Sequence, residues 1–261
     1  MARALVRGLL AAGDSGIVVA DPDADARTHV VTLGARATES NRDAIEGSAL
    51  IVLAVKPQQL RAALEPLAPA LGAARPLLVS VAAGVDCGSV GRWSGGLCPV
   101  VRSMPNTPAL IGAGISALYA APEVGADARA RAEALMGTVG TCFWVAEESA
   151  LDAVTALSGS GPAYFFLFLE ALIAAGEAMG LERAVATRLA LGTCQGAARL
   201  ASAPGAPDLA TLRRQVTSPG GTTERALDVF AAGDLAGLVQ MAVQAARERS
   251  VELGEVLRQD T

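Results

Sequence analysis

Scarce residues narrow the chemistry of this chain before any motif is read. It has one histidine, His29, in 261 residues. His29 follows an Asp-rich turn inside a helical stretch, where a surface position suits it, so no Ser-His-Asp or Cys-His catalytic pair can be assembled. The four cysteines, Cys87, Cys98, Cys142 and Cys194, lie far apart and form no CxxC pair. They supply no zinc-ligand set, and free thiols suit a reducing cytoplasm. A basic stripe is missing too: the net charge is -5 with the two signs interspersed, which argues against a nucleic-acid partner. The longest apolar run, "AYFFLFLEALIAAG", is interrupted by Glu170, so no membrane span is expected. Arg3, Arg7 and Asp14 break up the N-terminal apolar stretch, which leaves too short a core for a secretory signal. A soluble, cytoplasmic protein is expected, with neither nucleic acid nor membrane as partner.

The first half alternates between strand and helix patterns. Residues 2–12 have helical spacing and stop at Gly13, "GIVVADPD" reads as a short strand closed by a turn, and a polar helix ends near Leu33 before Gly34. "ALIVLAVKP" (49–57), "PLLVSVAAG" (76–84), "CPVVRSMPNTP" (98–108), "AGISALYA" (113–120) and "GTCFWVAEE" (140–148) read as further strands, with a helix over 122–137. This β/α alternation predicts an α/β fold with a doubly wound, mostly parallel sheet over residues 1–148. From 149 to 261 only helical periodicity appears, over 149–157, 162–180, 182–202, 207–215, 220–232 and 234–258, separated by turns such as "SGSGP" and "ASAPGAPD". The helix beginning "PAYFFLFLEALIAAG" is apolar on nearly every face, which predicts burial against a second subunit.

With side-chain catalysts scarce, the chemistry expected is one in which a cofactor does the hard step, such as hydride transfer. Three loops bear on it. "AVKPQ" (54–58) sits at the carboxyl end of a buried strand, where ligands bind in open α/β sheets; a strand stopped by proline with a solvated Lys56 explains it equally well. In "RSMPNTP" (102–108) two prolines stiffen the backbone around Asn106 and Thr107; a plain rigid turn is the alternative. "VTSPGGTT" (216–223) places Ser218, a proline at a helix start and two glycines ahead of the helix "TTERALDVFAAG". Bare N–H groups at a helix start, with glycines allowing close approach, make a site for a carboxylate or phosphate. An ordinary N-cap needs only one Ser or Thr, fewer hydroxyls and glycines than are crowded here.

These stretches together resemble the pyrroline-5-carboxylate reductase family over essentially the whole chain: "LAVKPQ", "SVAAGV", "VVRSMPNTPALIGAGISAL", "ALSGSGPAYFFLFLEAL" and "LRRQVTSPGGTTERAL" occur in order. The resemblance implies a Rossmann-type domain followed by an all-helical dimerisation domain, a homodimer within larger ring assemblies, and NAD(P)H-dependent reduction of 1-pyrroline-5-carboxylate to L-proline. It implies substrate binding by Ser218, Gly220, Gly221, Thr222 and Thr223, with Thr223 as the catalytic hydroxyl beside the ring nitrogen. It also implies cofactor contacts at Asp21, Asn41, Ala54, Val55, Lys56, Pro57, Asn106 and Thr107.

Two departures from the family pattern carry expectations. Family members place a strand and a turn of the form "IGFIGxGNM" before the first helix, whereas this sequence begins at the methionine of that pattern. The expectation is a start about ten residues upstream, with Met1 an internal methionine and the central first strand absent here. Asp21 stands where a carboxylate bonds the ribose 2′-OH of NADH and repels the 2′-phosphate of NADPH, while Arg27 could offset that repulsion; the expectation leans to NADH. Rival readings are an imine reductase or dehydrogenase acting on another substrate, and a non-catalytic dimer that has lost cofactor binding.

Overall fold

The computed structural model describes residues 1–259. In chain order the first region holds α1 (Ala2–Ala11), β1 (Val18–Ala20), α2 (Ala24–Leu33), β2 (Arg36–Thr38), α3 (Asn41–Ile45), β3 (Leu50–Leu53), α4 (Pro57–Leu64), α5 (Ala68–Ala74), β4 (Leu77–Ser80) and α6 (Cys87–Trp93). It continues with β5 (Val100–Met104), β6 (Gly114–Ala120), α7 (Ala126–Gly137), β7 (Gly140–Trp144) and α8 (Ala150–Val154). Then follow α9 (Gly161–Ala178), α10 (Arg183–Ala201), α11 (Leu209–Gln215), α12 (Thr222–Ala232) and α13 (Leu235–Gln259). The chain forms two compact units: Met1–Pro162 with the end of the chain from Ala245, and Ala163–Gln244. The sequence expectation put the boundary at 148/149. The observed unit reaches further because α8 packs on β6 and the Ser250 hydroxyl donates to Asp152 Oδ1 at 2.7 Å.

In the first unit the strands form two sheets, β1-β2 and β3-β4-β5-β6-β7. Every pairing is parallel except β5 with β6. Among the described residues β1 pairs only with β2, and β3 only with β4, so each keeps one side without a strand partner. Four consecutive residues of β4, Leu77 to Ser80, are buried, as a strand covered on both faces must be. Leu77, Val79, Val101 and Leu118 share one core with Ala4 and Leu5 of α1 and with Met136 of α7. Leu78 on the opposite face packs with Leu60, Leu64, Leu71 and Val90. Each fully buried Leu or Val contributes roughly 1.5–3 kcal/mol over its exposed state. Gly8 lets α1 lie close to α7: a Cβ there would stand 2.7 Å from the Thr138 carbonyl oxygen.

The short elements β2, α3 and α6 escape the periodicity argument. β2 is three residues, "RAT", and carries a charge. α3 and α6 depend on caps, Ser40 accepting from the Asp43 N–H and Asp86 from the Ser89 N–H. The expected strand at 49–57 stops at Leu53, since Ala54–Lys56 leave the sheet to start α4 at Pro57. "SGSGP" is no turn between helices. Thr155–Gly159 form a π-helical turn that carries the chain from α8 into α9, and a Cβ on Gly159 would meet Met104 Cε at 2.6 Å. The resulting run, Ala150–Ala178, is by length and composition apolar enough to cross a bilayer. That corrects the reading of Glu170 as an interruption of the run and by itself makes no membrane span, since core helices of soluble proteins share this length and composition.

The second unit is helical throughout. The Gly176 position faces Ala186 so closely that a Cβ would stand 3.0 Å away, which sets the contact of α9 with α10. The Phe168 and Phe230 rings meet at 6.3 Å between centroids. Little else is enclosed: the buried apolar side chains of this unit are Leu169, Ala186 and Ala190. Phe165 and Leu167 are 64% and 67% exposed.

Candidate active site

In the first unit the expected cofactor residues stand at the carboxyl ends of strands. Asp21 follows β1, and its N–H donates to the Thr38 carbonyl at 3.1 Å, prolonging the β1-β2 ladder by one step. Its Oδ1 accepts from the Asp23 N–H at 2.9 Å, an Asx turn that orients the carboxylate. Arg27 lies beside it, its Nη1 donating to the Asp21 carbonyl at 2.7 Å. Asn41, exposed, opens α3 just after β2. Ala54, Val55 and Lys56 are exposed after β3, and Pro57 takes the first position of α4, where its missing N–H costs nothing.

Asn106 and Thr107 follow β5 and differ in what they can offer. Asn106 is buried, and its Oδ1 accepts from the Ile115 N–H at 3.0 Å, tying the loop to β6. Its amide nitrogen and the second lone pair of Oδ1 are left for a ligand. Thr107 is exposed at the start of a 3-10 turn, Thr107–Ile111. Beneath this loop runs an ionic tie unseen in the sequence. Arg102 Nη1 of β5 pairs with Glu148 Oε1 at 2.8 Å, and the same oxygen accepts from the Cys87 N–H at 2.7 Å. Burial, with the neighbouring Glu148 charge second, pushes the Cys87 thiol up to about 12. It therefore stays protonated and inert at neutral pH.

In the second unit the 216–223 loop has a defined turn. The Gly221 N–H donates to the Ser218 carbonyl at 2.9 Å, Pro219 occupies the second turn position, and Gly220 the third with φ 69°. That is the type II arrangement, so Pro219 belongs to the turn and α12 starts later than expected, at Thr222. Gly221 admits no side chain, because a Cβ would stand 2.9 Å from the Ser218 carbonyl oxygen. The N-cap of α12 is Gly221, with no side chain capping the helix. The first intrahelical bond runs from the Arg225 N–H to the Gly221 carbonyl, which leaves the Thr222, Thr223 and Glu224 N–H groups without an acceptor in their own helix. The Gly220 N–H is engaged by Glu224 Oε2 at 2.6 Å. The backbone donors left at the start of α12 are thus the N–H groups of Thr222, Thr223 and Glu224.

Comparison with known proteins decides the family. Residues 148–253 match the family described as pyrroline-5-carboxylate reductase dimerisation, and residues 1–84 match NADP oxidoreductase, coenzyme F420-dependent. A pyrroline-5-carboxylate reductase of Pseudomonas aeruginosa is 46% identical over 99% of this chain and 95% of its own. The chain belongs to the pyrroline-5-carboxylate reductase family. A family member from Synechocystis is 40% identical over 98% of this chain and 95% of its own. The solved pyrroline-5-carboxylate reductase of Coxiella burnetii superposes with a TM-score of 0.91 at 40% identity, covering 97% of this chain and 94% of that one. The Plasmodium falciparum enzyme, solved with NADP bound, superposes at 0.85 with 29% identity over 96% of this chain and 93% of that one. A Rossmann-like sheet with a helical dimerisation domain is what these relatives share with the chain.

The residues present fit a nicotinamide dinucleotide. The Asp21 carboxylate is half-buried, and the hydrogen bond from Asp23 engages only its Oδ1; Asn41 and the segment Ala54–Lys56 stand exposed at strand ends. Motif reading did not find Glu148, Arg102 or Glu224. Glu224 was legible in principle, since a Glu three residues into a helix after a glycine-rich turn is a capping-box position. The Arg102–Glu148 tie spans 46 residues and left no local signal.

Proposed function

We propose that this chain reduces 1-pyrroline-5-carboxylate to L-proline with a reduced nicotinamide dinucleotide, as a cytoplasmic homodimer assembled into a larger ring. The single observation that carries the substrate assignment is the uncapped start of α12. Three backbone N–H groups of its first turn lack an acceptor where Gly221 forbids a side chain, Ser218 and Thr223 bring hydroxyls to the same short segment, and the family's substrate is a small carboxylate. The Thr222 and Thr223 N–H groups bind that carboxylate, assisted by the Ser218 hydroxyl. Gly220 and Glu224 act behind them by holding the turn.

When bound, the cofactor supplies a hydride to the imine carbon. The chain's own part is to orient the ring and to manage the proton. The Thr223 hydroxyl donates to the ring nitrogen, whose C=N bond becomes a C–N single bond while the nitrogen gains a proton, so a donor fixed there favours the transition state. Ala54, Val55, Lys56 and Pro57 line the nicotinamide side, Asn106 and Thr107 the loop next to it, and Asn41 and Asp21 the adenosine ribose. Asp21 favours NADH, since its carboxylate accepts from a ribose 2′-OH and repels a 2′-phosphate.

Steady-state kinetics with pyrroline-5-carboxylate test the assignment. Thr223→Val is expected to lower kcat about 10- to 100-fold with a smaller change in KM. Unchanged kcat removes Thr223 from the chemistry, and a wild-type chain inactive on pyrroline-5-carboxylate overturns the substrate.

A further inference from the structure

Cofactor choice in this fold is usually read from the residue at the end of one strand, here Asp21. The structure adds a neighbour. Arg27, on α2, is held at the mouth of β1 by two bonds from a single amine: Nη1 donates to the backbone carbonyls of Asp21 at 2.7 Å and Pro22 at 2.9 Å. Its other amine, Nη2, faces Glu39 Oε2 at 3.7 Å, just beyond the end of β2. The Arg27 side chain is 23% exposed, while that of Glu39 is 78% exposed.

A guanidinium fixed by one amine, with the other turned outward, is the geometry that clamps a phosphate. Here the outward amine meets a carboxylate instead. So exposed a pair at this distance adds almost nothing to folding, and stability gives no reason for it. Its consequence is electrostatic. Among the described residues the one guanidinium hydrogen-bonded to the Asp21 turn is paired, and the edge where a ribose 2′ substituent would lie keeps the negative sign of Asp21.

We propose that Glu39 is a second specificity-determining residue for the cofactor: by pairing the outer amine of Arg27 it withholds that amine from a 2′-phosphate. This rests on the reading above that the end of β1 receives the adenosine ribose. Discrimination against NADPH then has two parts, direct repulsion by Asp21 and neutralisation of Arg27 by Glu39.

Calorimetric titration with 2′,5′-ADP and 5′-ADP tests this without turnover, the readout being the ratio of the two dissociation constants. Glu39→Gln is expected to shift the ratio toward 2′,5′-ADP by about three- to tenfold, the scale of one unit charge near a solvated surface. Asp21→Ser should shift it further in the same direction. In the double variant Arg27→Ala, Glu39→Gln the Glu39 gain should vanish, because the amine it released is gone. An unmoved ratio in Glu39→Gln, with Asp21→Ser moving it, overturns the role of Glu39 and leaves the ribose reading standing. A Glu39→Gln gain that survives removal of Arg27 overturns the pairing mechanism. If neither Asp21→Ser nor Glu39→Gln changes the ratio, or neither nucleotide binds any variant, the ribose reading fails and this assignment with it.

Discussion

The two units of this molecule solve the problem of burying apolar surface in opposite ways. The sheet unit encloses its own core: Leu60, Leu78, Val79, Val101 and Leu118 are all inaccessible to solvent within one chain. The helical unit has almost no core of its own, and Phe165, Phe166, Leu167 and Val239 stand in solvent. Exposed apolar surface on that scale marks an interface, and this segment lies within the match to the family's dimerisation domain. Sheet stability is therefore a property of the chain. Stability of the helical unit is a property of its concentration, because association with a second copy is part of its folding free energy.

The largest expected effect breaks the helical side of this contrast. Phe165→Glu with Leu167→Glu places two charges on the apolar face of α9. Light scattering should then show the oligomer lost, with an unfolding midpoint that no longer rises with protein concentration. Next is the sheet side. Leu78→Ala should cost about 2–5 kcal/mol in denaturant unfolding, by lost transfer energy and the cavity left behind, and the loss should not depend on concentration. A smaller loss of about 1–3 kcal/mol is expected for Glu148→Ala, which strands Arg102 and the Cys87 N–H without their shared acceptor.

The last effect, absent below pH 9, sharpens the comparison through pH. The Cys87 thiol is raised from 9.0 to about 12 in the folded chain. A group raised above its unfolded value contributes fully below that value and is lost as pH rises through the folded one. This group's contribution to stability should thus be flat to pH 9 and then decline with rising pH until near 12. Cys87→Ala should flatten that limb, as read by denaturant midpoints across the alkaline range. An equally steep limb in the variant would place the titrating group elsewhere.

Much of the sheet was legible because its strands are continuous apolar runs, as in "PLLVSV", whose meaning does not depend on the rest of the chain. β2 was not legible, since three residues including Arg36 become a strand only because β1 lies beside them. The same division runs through the candidate site. The glycines and hydroxyls crowded into 218–223 single out that loop by composition. That the Gly220 N–H is already engaged by Glu224, and the Asn106 Oδ1 by Ile115, appears only in three dimensions.

The sequence by itself determined the family and the order of sheet and helices, because short-range patterning and motif order are written along the chain. Tertiary structure decided which donors in the candidate-site loops remain available and which strands lack a neighbour. It also revealed that Arg27 faces Glu39. Hydrogen bonds and ion pairs between distant residues depend on distances that no local pattern encodes, so their allocation is settled only when the chain has folded.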